Sequence, residues 1–314
     1  METIIVSVTE GIMAAGILDE VPFVTVQLFV TMASLLVVSF MIGVVSVLAG
    51  VGGGVLFVPV VSALFPIHID FIRGAGLMVA LVGAIAAAPR LMHRRFSRLR
   101  IAMPLALCGS VGSIIGARLG LLVSPDGILM LLGVFMIGVA IQTAIQGYRA
   151  RGGERYLPSG VEVDRNSLSD RIAAAWELFG SYSDPVAGEV FWRARRIVPG
   201  MVLFVGIGLL GGMLGVGAGW ANVPVLTSLM GLPIKLAAAT SGLIIIANSG
   251  AATWVYLGTG GIRPLIVAPA LVGIIAGTRL GARFLGAAKP QLVRLLVIAI
   301  LLLAGSRTII GVIS

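Results

Sequence analysis

A glycine-rich segment followed by a proline occurs twice in this chain. Gly50–Gly54 is followed by Pro59 and Gly215–Gly219 by Pro224, at a constant offset of 165 residues (215 − 50 and 224 − 59). Both copies lie inside long apolar runs. A bilayer tolerates irregular backbone only where it is packed in protein or lines a cavity. Two such breaks at matching positions are the usual sequence signature of a transporter's binding site. The sequence therefore predicts a duplicated membrane transporter with broken helices.

Composition supports a membrane protein rather than a soluble domain. Of the 314 residues, 58% are hydrophobic and 11% charged, and the mean hydropathy is +1.10. These values predict an all-α, polytopic bundle of transmembrane helices. We divide the chain into an acidic N-terminal segment (1–20), a first repeat (21–147), a linker (148–196) and a second repeat (197–314). Spans are predicted within 21–65, where the first break divides the run, and at 71–89, 101–123, 127–146, 197–230 with the second break, 236–257, 265–285 and 292–313.

A second motif also occurs in both halves. Gly112-x-x-x-Gly116 continues as Ala-Arg118-Leu-Gly, and Gly273-x-x-x-Gly277 continues as Thr-Arg279-Leu-Gly. Glycines four residues apart let helices approach closely in lipid. The two arginines lie near predicted span ends. They are either anchors that extend to the membrane surface or an electrostatic gate for an anion.

Positive charge in the loops predicts the topology. The segments 90–100 and 148–196 are rich in arginine and are separated by two predicted spans, so both lie on one side, which the positive-inside rule makes cytoplasmic. A third basic group surrounds Ala287. If that connection is also cytoplasmic, each half crosses an odd number of times and the halves are inverted repeats. A parallel repeat would place the third group outside.

The linker is too short to form a core of its own. Ser167 could begin a helix in which Ile172, Trp176 and Phe179 share one face. Such a helix would lie on the membrane surface and join the halves. A regulatory or partner-binding element is the alternative.

The sign of the charge in the second half indicates an anionic substrate. After Glu189 the chain has no Asp or Glu, yet it keeps several Lys and Arg residues. Cation and proton pathways usually contain intramembrane carboxylates, whereas anions bind helix N-termini, backbone amides and hydroxyl or amide side chains. Side chains of the latter kind are Ser46, Asn222, Thr240, Ser241, Asn248, Ser249 and Thr253. Each could instead form a hydrogen bond between helices.

Other functional classes fit the residues less well. Neither glycine cluster completes a dinucleotide-binding motif, because Val55 and Trp220 stand at the last glycine position, and neither ends in Gly-Lys-Ser/Thr. The chain has two histidines and the single Cys108. The sequence therefore shows no group of residues that is typical of a hydrolase active site or a metal site. We expect no enzyme activity, no cofactor and no nucleic-acid partner. The expected partners are a small anion and membrane lipids. The residues also allow a homo-oligomer, and an ion channel is a further alternative to a carrier.

These motifs resemble the sulfite exporter TauE/SafE family over residues 25–147 and 197–313. Besides the doubled glycine motifs, Ala239-Thr240-Ser241 after Pro233 is similar to the family pattern. The resemblance implies an integral carrier that moves sulfite, sulfonates or related oxyanions, usually outward. The family's Thr-Ser position is matched by Thr240 and Ser241, but the first half has 73–76 (Arg-Gly-Ala-Gly) there. Arg73 is then either a substitute anion contact or an interfacial residue, since Phe71 starts that span.

The resulting hypothesis is a multi-pass carrier of the cytoplasmic membrane that works by alternating access. The chain has no ATP-binding motif, so an ion gradient or the membrane potential would drive export. A carrier or channel for another small anion or metabolite is the alternative. The second break is expected to be the more functional of the two. The predicted anion contacts are Gly52, Gly53, Gly54, Gly217, Gly219, Asn222, Thr240, Ser241 and Asn248, and the predicted gate or path residues are Arg73, Arg118 and Arg279.

Overall fold

Two sets of apolar helices, one from each half of the chain, make up the protein. The computed structural model describes residues 17–49, 52–92, 99–151, 176, 178–184, 188–284 and 290–313. Within these residues, eight helices are long and apolar enough to cross a membrane. The prediction of an all-α, polytopic bundle is confirmed. Residues 1–16 of the predicted acidic segment (1–20) lie outside the described residues, and residues 17–20 belong to a helix.

The described part of the first half contains five helices, with a break at the glycine cluster. They are α1 (Ile17–Ala49), α2 (Gly53–Leu64), α3 (Ile69–Met92), α4 (Leu99–Leu122) and α5 (Pro125–Arg151). The long helices are apolar over most of their surface, with exposed side chains such as Phe29 and Leu122 facing outward. Apolar residues on all sides are typical of helices surrounded by lipid and protein.

The second half contains five helices in the same order. They are α6 (Ile197–Leu214), α7 (Gly219–Pro224), α8 (Ile234–Gly258), α9 (Pro264–Phe284) and α10 (Pro290–Ile313). A single π-helical turn, Val225–Leu229, extends α7. Helices α3 and α8 begin at Ile69 and Ile234, which repeats the 165-residue offset of the glycine motifs (234 − 69).

The Gly-x-x-x-Gly helices pack tightly on helices from the opposite half. Along α4, Gly112, Gly116 and Gly120 contact Val205, Leu209 and Met213 of α6 in turn. Both series increase by four residues, one helical turn, so the two helices run parallel. Helix α9 packs on α1 in the same manner, with Gly273, Gly277 and Gly281 against Leu36, Phe40 and Val44. Without Cβ atoms at these glycines, the backbones come into direct contact.

Two pairs of helices at equivalent positions in the halves, α3 with α8 and α5 with α10, pack antiparallel. Arg73, early in α3, lies beneath the ring of Tyr256, late in α8. Further along α3, a Cβ atom at Gly250 would lie 3.9 Å from Leu81 Cδ1. Residue numbers therefore increase in α3 as they decrease in α8. Helices α5 and α10 also pair antiparallel, since Gly133 contacts Ile309 while Ile137 contacts Gly305.

Part of the linker forms a β-hairpin that the sequence did not predict. Strands β1 (Phe179–Asp184) and β2 (Gly188–Arg193) pair antiparallel, with Phe179 opposite Arg193. Phe179 thus begins a strand rather than continuing a surface helix, because this stretch is rich in the aromatic residues that favour strands. Ser167 and Ile172, where that helix was expected, lie outside the described residues. Leu178 and Trp192 pack with α4, α6 and α8, so the hairpin is fixed to the bundle.

Candidate functional site

Glycines in left-handed conformations end or begin the helices at both breaks. Helix α6 ends at Gly215, whose φ is 73°, and Gly217 has a φ of 71°. In the first half, Gly52 precedes α2 with a φ of 86°. Residues with a Cβ rarely adopt positive φ, so these turns require glycine.

The two breaks meet beside the same stretch of α3. A Cβ atom at Gly54 would lie 2.7 Å from Val216 O and 2.8 Å from Ala80 Cβ. One at Gly76 would lie 2.6 Å from Gly215 O, and one at Gly52 would lie 4.0 Å from Gly219 Cα. The glycine clusters, 165 residues apart in sequence, are therefore neighbours in space.

A cavity of about 340 Å³ lies between these segments. The first break contributes Gly52–Val55, and the second contributes Val216, Gly219 and Val223. The remaining lining residues come from α1, α3, α8 and α9: Ser46, Ala80, Gly83, Ala84, Ala238, Ser241, Gly242, Ile245 and Thr278. Its volume suits a small ligand.

The cavity lining is mainly apolar, and the polar side chains among the described lining residues are hydroxyls. Ser46, Ser241 and Thr278 supply the hydroxyls. Ser46 donates to Gly43 O at 3.1 Å and Thr278 to Ile275 O at 3.0 Å, each within its own helix. The first-turn N–H groups of α2 have no acceptor within that helix. No charged side chain is among the described residues that line the cavity. The arrangement can bind an anion by hydrogen bonds and the helix dipole.

The structure brings five of the nine predicted anion contacts to this cavity. Gly52, Gly53, Gly54, Gly219 and Ser241 line it. Gly217 lies beside it, but its N–H donates to Gly211 O at 3.3 Å.

The other three predicted contacts are buried in the helix packing. Asn222, Thr240 and Asn248 are inaccessible to solvent. The side-chain oxygen of Asn248 accepts a hydrogen bond from the Ser110 hydroxyl at 3.3 Å, which joins α8 to α4. Both polar side-chain atoms of Asn222 and the hydroxyl of Thr240 have no hydrogen-bond partner.

Arg73 is completely buried, so its interpretation as an interfacial residue is wrong. Its Nη1 donates to Asp70 Oδ1 at 2.7 Å and to Gly120 O at 3.2 Å, and its guanidinium lies 5.3 Å from the Tyr256 ring centroid. A buried cation needs such partners because its desolvation is costly. Sequence reasoning missed Asp70 and Tyr256, although Asp70 stands three residues before Arg73, one helical turn away.

Arg118 and Arg279 have exposed side chains on α4 and α9. Neither lines the cavity. The residue before Arg279, Thr278, does line it, whereas Ala117, before Arg118, does not. The matching motifs therefore have different surroundings in the two halves.

Several lining residues carry a sequence signal that the motifs did not include. Ala80, Gly83 and Ala84 are small residues three and four apart on α3. Ala238, Ser241, Gly242 and Ile245 follow the same spacing on α8. Residues at this spacing share one helix face, so two faces made mainly of small side chains leave room for the cavity.

Comparison with known proteins relates the chain to a family of transporters. The family described as Sulfite exporter TauE/SafE matches residues 35–308. A "Probable membrane transporter protein YunE" of Bacillus subtilis (strain 168) is 23% identical over 282 residues, covering 88% of this chain and 96% of that protein. No solved structure matches the chain.

Proposed function

Because the chain belongs to the TauE/SafE family of membrane transporters, we propose that it exports a small sulfur-containing oxyanion through the cavity between its two glycine breaks. A sulfite or sulfonate group offers three oxygens that accept hydrogen bonds. The cavity lining includes Ser241 and the first glycines of α2, whose hydroxyl and amide groups are donors of the matching kind.

The observation that carries this proposal is the chemistry of the cavity lining. Mainly small apolar residues line it, together with three hydroxyl-bearing residues and the glycines that begin α2, and no described lining residue has a carboxylate. Fixed dipoles can bind an anion and release it more readily than a buried countercharge would. A carrier needs such release in every cycle.

Alternating access is the proposed mechanism, with the two halves as inverted repeats. The antiparallel pairing of α3 with α8, and of α5 with α10, supports the inversion. In a parallel repeat these equivalent helices would share one direction. Helices α1 and α6, each packed on the other half, would then rock with their partners and expose the cavity to one side at a time.

The side to which the cavity opens follows from the positive-inside rule. The arginine-rich segment after α3 is assigned to the cytoplasm. The cavity lies beside the later part of α3 (Ala80–Ala84) and the early part of α8. We therefore propose that the cavity opens toward the cytoplasm in this state. In the cytoplasmic membrane, an inside-negative potential would favour anion export by about 2.3 kcal/mol per charge per 100 mV.

Flux measurements on the purified protein in liposomes test the proposal. The panel is sulfite, sulfate, taurine, sulfoacetate and lactate. Saturable flux of at least one sulfur oxyanion supports it. Flux of lactate alone would favour a carrier of another metabolite, and unitary currents in planar bilayers would favour a channel. Either result would overturn the proposal.

A further inference from the structure

The Asp70–Arg73 ion pair of the first half lies at the place that corresponds to the second half's part of the cavity lining. By the 165-residue offset, Arg73 corresponds to Ala238 and Gly76 to Ser241, and both second-half residues line the cavity. By the Gly-x-x-x-Gly motif, Ala117 corresponds to Thr278.

In the first half this space is filled. Arg73 and Ala117 are inaccessible to solvent, and Gly76 packs against Val58 and Gly215 O. The Arg73 guanidinium lies against Gly120 of α4, where a Cβ atom would collide with its Nη2. Where the second half has an exposed alanine in the cavity wall, the first half therefore has a buried arginine.

Further contacts close the same end of the molecule. The connection from α8 to α9 packs on the start of α3, where a Cβ atom at Gly74 would lie 2.6 Å from Gly261 O. Arg263 of that connection lies 4.9 Å from the ring centroid of Phe71. The Arg73 cluster (Asp70, Arg73 and Tyr256) is thus the charged centre of a closed region, on the opposite side of the breaks from the cavity.

The guanidinium of Arg73 has unused hydrogen-bonding capacity. Its Nε and Nη2 have no hydrogen-bond partner. The hydrogen bonds of the guanidinium are therefore the two that Nη1 donates. Asp70 has 32% of its side chain exposed, while Arg73 has none. The carboxylate can therefore move away from the pair more easily than the guanidinium can.

We propose that the Arg73 cluster is a gate at the end opposite the cavity, and that Arg73 is a second anion contact when that end opens. This rests on the proposed alternating access of an anion. In the closed state the Asp70 carboxylate forms an ion pair with the guanidinium. When the far end opens, the transported oxyanion takes its place, because a guanidinium fork binds carboxylate and other oxyanions in similar geometry. The buried cation then has a countercharge in both states.

Thiol accessibility tests the gate without requiring transport. In a Cys108→Ala background, Ala117→Cys and Thr278→Cys place matched probes in the filled and the open region. With a small maleimide and detergent-purified protein, we expect labelling of the Thr278→Cys variant and background labelling of the Ala117→Cys variant. Adding Asp70→Asn is expected to raise labelling of the Ala117→Cys variant about tenfold and to lower that of the Thr278→Cys variant.

Two results would overturn the gate. One is equally fast labelling of the two probes while Asp70 is intact. The other is unchanged labelling of the Ala117→Cys variant with both Asp70→Asn and Asp70→Ala in folded protein. Because labelling involves no transported anion, failure of the gate is distinguishable from failure of the flux panel.

Anion binding tests the second part of the proposal. Calorimetric titration with sulfate and with sulfoacetate compares the parent with Asp70→Asn. Removal of the competing carboxylate is expected to tighten binding of at least one anion about tenfold. Adding Arg73→Lys, which keeps the charge but loses the fork, is expected to abolish most of the gain. No gain in Asp70→Asn, or a gain that survives both Arg73→Lys and Arg73→Gln, would contradict a role for Arg73 in anion contact.

Discussion

The two glycine breaks have the same sequence pattern but different surroundings. At the first break, Gly52, Gly53 and Gly54 all line the cavity, and α2 begins there with its first-turn amides. At the second break, Gly215 packs on the backbone of Arg73, and the N–H of Gly217 is bonded to Gly211 O. The first break thus forms part of the cavity wall, while much of the second holds helices together.

This difference shows that a repeated motif can keep its backbone geometry and divide its roles. Both copies interrupt a helix with positive-φ glycines. What differs is how far each copy extends along α3: Gly54 and Gly217 both lie beside Ala80, whereas Gly215 also packs on Arg73. The sequence favoured the second break as the functional one, whereas the cavity lining favours the first. Which of the two breaks is the more functional stays a prediction, and substitutions at each break test it.

The largest effect is expected for Gly215→Ala, which should prevent stable folding. Its Cβ would lie 2.6 Å from Arg73 Cβ and 2.7 Å from Arg73 O, and its φ of 73° disfavours any side chain. Overpacking together with the left-handed strain is expected to cost about 3 kcal/mol or more. Thermal unfolding monitored by size-exclusion chromatography measures the loss.

Gly231→Ala is the matched control for that substitution. Gly231 has a φ of 70° but no atom within 4 Å of its Cβ position. It should lose only the strain of about 1–2 kcal/mol. Equal losses at the two positions would mean that packing of the second break on α3 contributes little.

Gly52→Ala is expected to impair transport more than stability. At a φ of 86°, alanine is strained, yet the nearest atom to its Cβ, Gly219 Cα, is 4.0 Å away. Relief of that strain would turn the first turn of α2 away from the cavity. We expect a stability loss of about 1–2 kcal/mol and at least a tenfold loss of anion affinity, measured by titration. Parental affinity in a folded Gly52→Ala protein would assign the first break a structural role.

Neighbouring hydroxyls give a smaller and more specific effect. Ser241 lines the cavity, whereas Thr240 is buried with an unpaired hydroxyl. Ser241→Ala should weaken anion binding about tenfold, as expected for loss of one hydrogen bond to a charged ligand. Thr240→Ala should leave binding unchanged and preserve or raise stability, because it removes a buried polar group without a partner. The reverse order of the two affinities would contradict the assignment of the cavity as the site.

The smallest effects are expected at the two exposed arginines of the repeated motif. Arg118→Gln and Arg279→Gln should each change stability by about 0.5 kcal/mol or less, because both side chains are exposed. Flux should be parental for Arg118→Gln and fall at most about twofold for Arg279→Gln, whose neighbour Thr278 lines the cavity. A large loss of flux in both folded variants would restore the hypothesis that these residues form an electrostatic gate.

Much of the fold was predictable because membrane spans and glycine breaks are local signals. The predicted spans correspond to described helices, since apolar runs of this length favour transmembrane helices. The packing of α4 on α6 and of α9 on α1 could not be predicted, because a Gly-x-x-x-Gly pattern marks a contact face without naming its partner. The burial of Arg73 was missed because it depends on which helices pack together: its partners Gly120 and Tyr256 come from α4 and α8.

The candidate site was predictable where the backbone itself forms it. Gly52–Gly54 line the cavity because they begin α2. The side chains were harder to place, since Thr240 and Ser241 are adjacent in sequence and point about 100° apart around a helix. Which of them faces the cavity depends on the rotation of α8 about its axis. That rotation is set by its packing against α3 and α4.

Protection of a cavity cysteine by anions tests the central claim most directly. In a Cys108→Ala background, Ser46→Cys places a thiol in the cavity wall, and Ser124→Cys places one in the exposed turn between α4 and α5. Labelling rates are measured with a small maleimide in the presence of sulfate, taurine, sulfoacetate or lactate. If the cavity between the breaks is the anion site, at least one sulfur oxyanion will slow labelling of the Ser46→Cys variant and leave the Ser124→Cys variant unaffected. Equal rates with and without every sulfur oxyanion, in protein that transports one of them, would contradict the claim.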